Sequence, residues 1–197
     1  MDNGAGSYRR FLDGDDDGIV EIVRDYKDGL IFYINSYVNN IHIAEELTED
    51  TFFKLIVKKP KYRYQYSFKA WLYTIGRNVS LDYLRKNSRI LDKPADDYYN
   101  YVQDEINLEK EYFKEERKIL VRHTIDGLKP EYRQVLYLVY FEGFTNEETA
   151  KITKKNKHQI ETLVYRAKQS LKSKLEKEGF TVTIHSLNKI FIGFSTM

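Results

Sequence analysis

TNEETAKITKKNKHQIETLVYRAKQSLK, residues 145–172, is the stretch whose reading decides the fold. Thr145 stands three residues ahead of Glu148, the spacing of a capping box. In that box the hydroxyl accepts from one helical amide and the carboxylate reaches back to the first. A short helix to about Ile152 follows, then a tight turn at Lys154–Asn156. A long helix then runs from Lys157 to about Glu178 and stops at Gly179, a residue suited to a helix C-terminus. Ile152, Ile160, Val164 and Leu171 fall inward. Lys157, His158, Gln159, Thr162, Tyr165, Arg166 and Lys168 face outward or flank a groove. A capped short helix, a three-residue turn and a basic second helix have helix-turn-helix spacing, and the second helix of such a pair fits the major groove. Capped helix pairs are also common in proteins that never meet DNA, so the spacing alone leaves a plain helical hairpin open.

Working outward, Pro130 sits at the first turn of a helix that carries Val135, Leu136, Leu138, Val139 and Phe141 and ends at Gly143. Ile106–Asp126 reads as the helix before it. Asn87 to about Asp104 holds Pro94, a Tyr-Asn cluster and little periodicity, so it reads as an acidic, solvated linker. Further back, Ile19, Ile22, Val23, Tyr26, Leu30, Tyr33, Ile34 and Tyr37 recur at three- and four-residue steps. They predict one long amphipathic helix after an Asp-rich turn at Asp13–Asp17, whose carboxylates suit a helix N-terminus. A helix from about Ile43 to Val57 stops before Pro60. Another runs from Phe68 to about Lys86, with Ser67 as its N-cap. The expected fold class is all-α: two small helical domains joined by a flexible linker, the second a helix-turn-helix. The expected bounds are 8–87, 88–104 for the linker, 105–178, and a tail 179–197. The tail is more apolar, and strand, short helix and disorder all remain open for it.

The 197 residues are 42% hydrophobic and 31% charged, enough to bury a core beneath much solvated surface. There is no Cys, which excludes disulfides and thiolate metal sites. No apolar run approaches the roughly 20 residues of a membrane helix, and the first residues, MDNGAGSYRR, lack a signal peptide's apolar stretch. A cytoplasmic location is expected. His42, His123, His158 and His185 are scattered, and the glycines form no phosphate-binding loop. No catalytic residue, cofactor or metal site is expected.

Net charge is only +2, but the charges are segregated. Asp13–Asp50 has eleven acids against two bases, and Lys58–Arg89 nine bases against one acid. Asp92–Arg117 is acidic again, nine to four, and Lys151–Lys177 has nine bases against two acids. Blocks of like charge imply different partners for different blocks. Within the first basic block, Tyr62, Tyr64, Tyr66, Phe68, Trp71 and Tyr73 interleave with Lys61, Arg63 and Lys69. Tyrosine faces stack on unpaired bases while cations track phosphates, the combination that single-strand binding requires. A core accounts for Phe68, Trp71 and Leu72 but not for three tyrosines between Pro60 and a helix cap. The plain alternative is compositional bias, since the chain holds 17 Tyr. In the acidic block, Glu45 with Glu49 and Glu46 with Asp50 stack like charges at i,i+4, which destabilises an isolated helix. Such a face suits a cationic protein, though a solvated surface is the simpler reading of that segment alone.

Taken in order, these segments resemble the sigma-70 family of RNA polymerase sigma factors, specifically its extracytoplasmic-function group. The resemblance is carried by Phe11–Asp15 and Leu30–Tyr37, by AEELTEDTF (residues 44–52), and by FKAWLYTIGRNVSLDYLRK (68–86). LKPEYRQVL (128–136), YFEGFTNEETA (140–150) and Arg166-Ala-Lys168 continue it, so that it spans about Tyr8–Lys177. The resemblance implies that Glu45, Glu46, Leu47, Glu49, Asp50 and Phe52 dock on the β′ coiled-coil of core polymerase, with the β flap as a second contact. It implies that Arg63, Tyr64, Tyr66, Ser67, Lys69, Trp71, Arg77, Asn78, Arg85 and Lys86 serve the minus-ten element of promoter DNA. The minus-thirty-five element falls to Lys157, His158, Gln159, Glu161, Thr162, Tyr165, Arg166 and Lys168, and an anti-sigma factor is a possible further partner. Glu161 and Leu163 stand where many relatives carry Lys and Arg. An acid at that place can instead accept from a cytosine amino group. The tail beyond Gly179 has no counterpart in the family core.

Two other readings stay open on sequence: a homodimeric helix-turn-helix regulator acting without polymerase, and a helical decoy that imitates a sigma factor. The aromatic-basic loop favours the first of the three, because a decoy has no use for it.

Overall fold

Apolar side chains at three- and four-residue steps make α2 (Asp17–Val38) a helix with one buried stripe, Ile22, Leu30, Tyr33 and Ile34, each almost wholly enclosed. The acidic turn ahead of it acts as expected: the Asp15 carboxylate accepts from the Asp17 amide at 3.0 Å. α2 ends at Asn39, which takes a left-handed φ of 51° and returns its amide to the Asn35 carbonyl at 2.8 Å. Asn40 then caps α3 (Ile41–Lys58), its side chain accepting from the Ile43 amide at 3.2 Å. α4 (Phe68–Ile90) runs a few residues past the expected end near Lys86. The structure, a computed structural model, describes residues 3–63, 65–90, 121–183, 187 and 191, and no strand occurs among them. The expected linker from residue 91, residues 106–120 of the expected Ile106–Asp126 helix, and Tyr64 lie outside the described residues.

A first helix, α1 (Asn3–Leu12), leads into the Phe11–Asp15 stretch that resembles the family's opening helices, and periodicity alone does not give it, because this decapeptide holds two glycines and few apolar positions. Two rings, Tyr8 and Phe11, are what bury it: they are 1% and 4% exposed, and the Tyr8 hydroxyl donates to the Pro60 carbonyl at 2.8 Å. α1 lies against α2 at Gly18, where a Cβ would stand 2.2 Å from the Ser7 carbonyl oxygen and 2.8 Å from the Phe11 nitrogen. Only glycine permits that approach.

The second domain comprises residues 121–126 (α5), α6 (Pro130–Leu136), a π-helical turn at Tyr137–Phe141, α7 (Asn146–Thr153) and α8 (Lys157–Lys177). Its core gathers Val121, Ile125, Leu128, Val135, Leu136, Ile160, Val164, Ala167, Leu171 and Leu175. Two tail residues complete it. Leu187 and Phe191 are helical and buried, and the Phe191 ring stacks on Tyr140 with centroids 4.1 Å apart. Of the three conformations left open for the tail, helix is the one these two positions adopt.

The domains share apolar packing. Leu138, Phe144 and Ile152 belong to the second domain in sequence but join the core of the first. The π-helical turn, followed by Gly143 at φ 70° with the Phe144 amide on the Leu138 carbonyl, turns the chain toward that core. Gly18→Ala is expected to cost about 1–3 kcal/mol through overpacking, although alanine is the better helix former by about 1 kcal/mol. A lowered urea midpoint with unchanged slope checks this.

Candidate nucleic-acid interface

The entry to α4 is built from aromatics. Ser67 caps the helix, its Oγ accepting from the Ala70 amide at 3.3 Å, as expected. Tyr62, Phe68, Trp71 and Tyr8 form one ring cluster with centroids 5.3–5.6 Å apart, and the Tyr62 hydroxyl donates to the Tyr66 carbonyl. The expectation that a core does not account for these tyrosines is corrected for Tyr62 and Tyr66, both half-buried against the first domain. Their rings pin the loop and leave Arg63 exposed at its turn. Further along α4, Arg77, Asn78 and Arg85 line an open cleft with Leu81, Asp82 and Lys154, while Lys86 points to solvent. Arg77 and Asn78 are thus brought together with Lys154, in the turn between α7 and α8.

On α3, Glu45, Glu46, Glu49 and Asp50 are exposed along one face. Leu47 and Phe52, grouped with them on sequence, turn inward instead and are 5% and 6% exposed. They hold the helix to the core and cannot themselves meet a partner. The neighbouring Phe53 is 62% exposed, and Ile56 and Val57 lie beyond it, so the acids are followed by an apolar strip. The helical stagger of FFKLIV could have exposed Phe53, had the two phenylalanines been assigned faces by their phase.

The α7–α8 unit matches its reading. Thr145 and Glu148 form a complete capping box, and Lys154 turns the chain at φ 56°. Asn156 and Gln159 form a second box, unforeseen, with bonds of 2.8 and 2.9 Å. The Gln159 side chain is therefore tied to the Asn156 amide at the start of α8. Lys157, His158, Glu161, Tyr165 and Arg166 are exposed, while Thr162 and Lys168 are half-buried. Hydrogen bonding to Lys157 lowers the Glu147 carboxyl, and the same contact raises the Lys157 ammonium.

Among the described residues, five polar contacts between the domains stand out, none foreseen. The Ser67 hydroxyl donates to Glu148 Oε1 at 2.7 Å. The Lys69 ammonium meets Glu142 Oε2 at 2.9 Å and its carbonyl oxygen at 2.8 Å. The Tyr73 hydroxyl donates to Glu142 Oε2 at 2.6 Å, and burial with the adjacent carboxylate pushes that phenol well above its ordinary range. Arg133 donates to Asn39 Oδ1 at 2.9 Å. Glu142 is one acid among 30, and no spacing rule singles it out.

Two family models match the chain: Sigma-70 region 2 over residues 22–90, and Sigma-70 region 4 over residues 118–171. The ECF RNA polymerase sigma factor SigE of Mycolicibacterium smegmatis is 27% identical over 160 residues. That match covers 81% of this chain and 62% of SigE, so the chain spans less than two thirds of that relative's length. RNA polymerase sigma factor SigZ of Bacillus subtilis is 30% identical over 146 residues, covering 73% of this chain and 79% of SigZ. Among solved structures, the sigma factor RpoE in complex with the anti-sigma factor NepR from Bartonella quintana superposes with a TM-score of 0.60 at 22% identity. It covers 79% of this chain and 95% of that one, a likeness of fold.

Replacing Asn156 by Ala removes the acceptor of the second capping box and is expected to cost about 1 kcal/mol. Thermal unfolding followed by circular dichroism checks it, with Lys157→Ala, which leaves the box intact, as the comparison.

Proposed function

The chain belongs to the sigma-70 family, within its extracytoplasmic-function group, and from that premise we propose that it joins core RNA polymerase and directs promoter-specific initiation. The observation that carries this reading is the pairing of two surfaces on one domain. Four exposed carboxylates project from α3, and a basic, ring-pinned loop leads into α4. A carboxylate row followed by Phe53, Ile56 and Val57 suits a partner that is cationic and partly apolar, which we assign to the β′ coiled-coil of the polymerase. The β flap would contact the second domain. An anti-sigma factor, the partner held by the RpoE relative, belongs to the same reading, as does a cytoplasmic location.

Promoter reading then divides between the domains. Arg63, Arg77, Arg85 and Lys86 supply phosphate contacts, and Asn78 supplies a base-edge contact, because amide side chains both donate and accept. Tyr64 and the solvent-facing part of the half-buried Tyr66 ring offer faces for unstacked bases, each stack worth about 1–3 kcal/mol. Those contacts offset the few kcal/mol that unstacking each step costs. On α8, Lys157, His158, Gln159, Glu161, Thr162, Tyr165, Arg166 and Lys168 make up the face toward the minus-thirty-five element. Glu161 favours a cytosine amino group where a cation would favour phosphate. Nucleotide addition stays with the polymerase.

Replacing Glu45, Glu46, Glu49 and Asp50 together by Ala is expected to weaken association with core enzyme about tenfold or more, since steering by such rows changes on-rates by that order. Helical content should be kept, because the i,i+4 repulsions disappear with the acids. Co-sedimentation with core polymerase and run-off transcription over a promoter library test it. Unaltered association would overturn the polymerase contact, and tight duplex binding without any transcription would point to a polymerase-independent regulator. A Tyr64→Ala/Tyr66→Ala variant should still join core polymerase but lose permanganate-reactive thymines in the bubble.

A further inference from the structure

We propose that the second domain competes with melted DNA for the strand-binding edge of the first, and that Glu142 is the residue that seats it there. This rests on the reading of Ser67 and Lys69 as strand contacts. Both donors are spent on the other domain: Ser67 on Glu148, Lys69 on the side chain and carbonyl of Glu142. Carboxylate oxygens here take the bonds that phosphate oxygens would take.

The seat is specific. Glu142 has only 13% of its side chain exposed and is gripped by Lys69 on one side and the Tyr73 hydroxyl on the other. Gly29 of α2 makes the room: a Cβ there would lie 2.6 and 2.8 Å from the two carboxylate oxygens. Beside it the Phe144 ring is 4% exposed, edge-on to Tyr73 at 5.1 Å, with the Lys69 ammonium 5.0 Å from its centre. One lysine therefore serves an ion pair, a carbonyl and an aromatic face, all from the second domain. A strand cannot use Lys69 until Glu142 leaves. The free chain's affinity for single strands is the intrinsic affinity scaled by its open fraction.

The test uses the full chain, a fluorescein-labelled oligo(dT) and small-angle X-ray scattering. Glu142→Ala is expected to lengthen the maximum dimension and to tighten oligonucleotide binding about tenfold, as for a chain open about one part in ten. Glu142→Gln, nearly the same size, should move both readings in the same direction if the alanine variant fails to fold. Glu176→Ala removes an exposed carboxylate paired with Lys172 elsewhere in the second domain, and so controls for net charge; it should change neither reading. Scattering identical to the parent's, expansion without tighter binding, or equal tightening by Glu176→Ala would each overturn the proposal. Run-off transcription separates this from the family function. Promoter-specific transcripts with no gain in strand binding reject the competition alone, whereas tighter binding without transcripts rejects the initiation reading and leaves the competition standing.

Discussion

The arrangement depends on one apolar junction, where Leu138, Phe144 and Ile152 leave their own domain to complete the core of the other. Burying three such side chains removes apolar surface from water and favours the docked arrangement. The polar contacts around the junction, those of Glu142 above all, add both register and strength. Glu142 is held by Lys69 and Tyr73, Glu148 by Ser67 and Arg133 by Asn39, so the docked second domain has a defined orientation.

Charge segregation along the chain becomes spatial segregation in the fold. The acids of α3 stand clear of the junction, while the cations of α4 run toward it and meet Lys154 in the open cleft. A surface left positive on both sides of a domain boundary repels itself unless an anion enters or the domains part. The side carrying Lys69 is neutralised internally, and among the described residues the cleft carrying Arg77 and Arg85 has Asp82 as its lining acid. The two halves of one basic block are therefore in different electrostatic states.

Much of this was legible in the residues. Period and capping placed α2, α3, α4 and the α7–α8 pair, because each is long or carries a side-chain cap beside a clear apolar stripe. α1 escaped because its burial depends on glycine contacts with a neighbour, which no local pattern records. Phe52, named through the family resemblance, faces inward while Phe53 is exposed, because adjacent aromatics differ only in phase and tertiary packing decides which one faces in. The bond between Ser67 and Glu148, 81 residues apart, lies beyond any local rule. Ser67 and Glu148 were each correctly read as caps, and each has a second role that only the fold reveals.

The Tyr140 ring carries Phe191 stacked on it at 4.1 Å and also faces the Lys168 ammonium at 5.8 Å. A side chain near the far end of the polypeptide is thereby coupled, through a single aromatic plane, to a cation on the helix proposed to read duplex DNA. A substitution at Phe191 would therefore reach Lys168 through the Tyr140 ring, without altering any residue on the exposed face of α8.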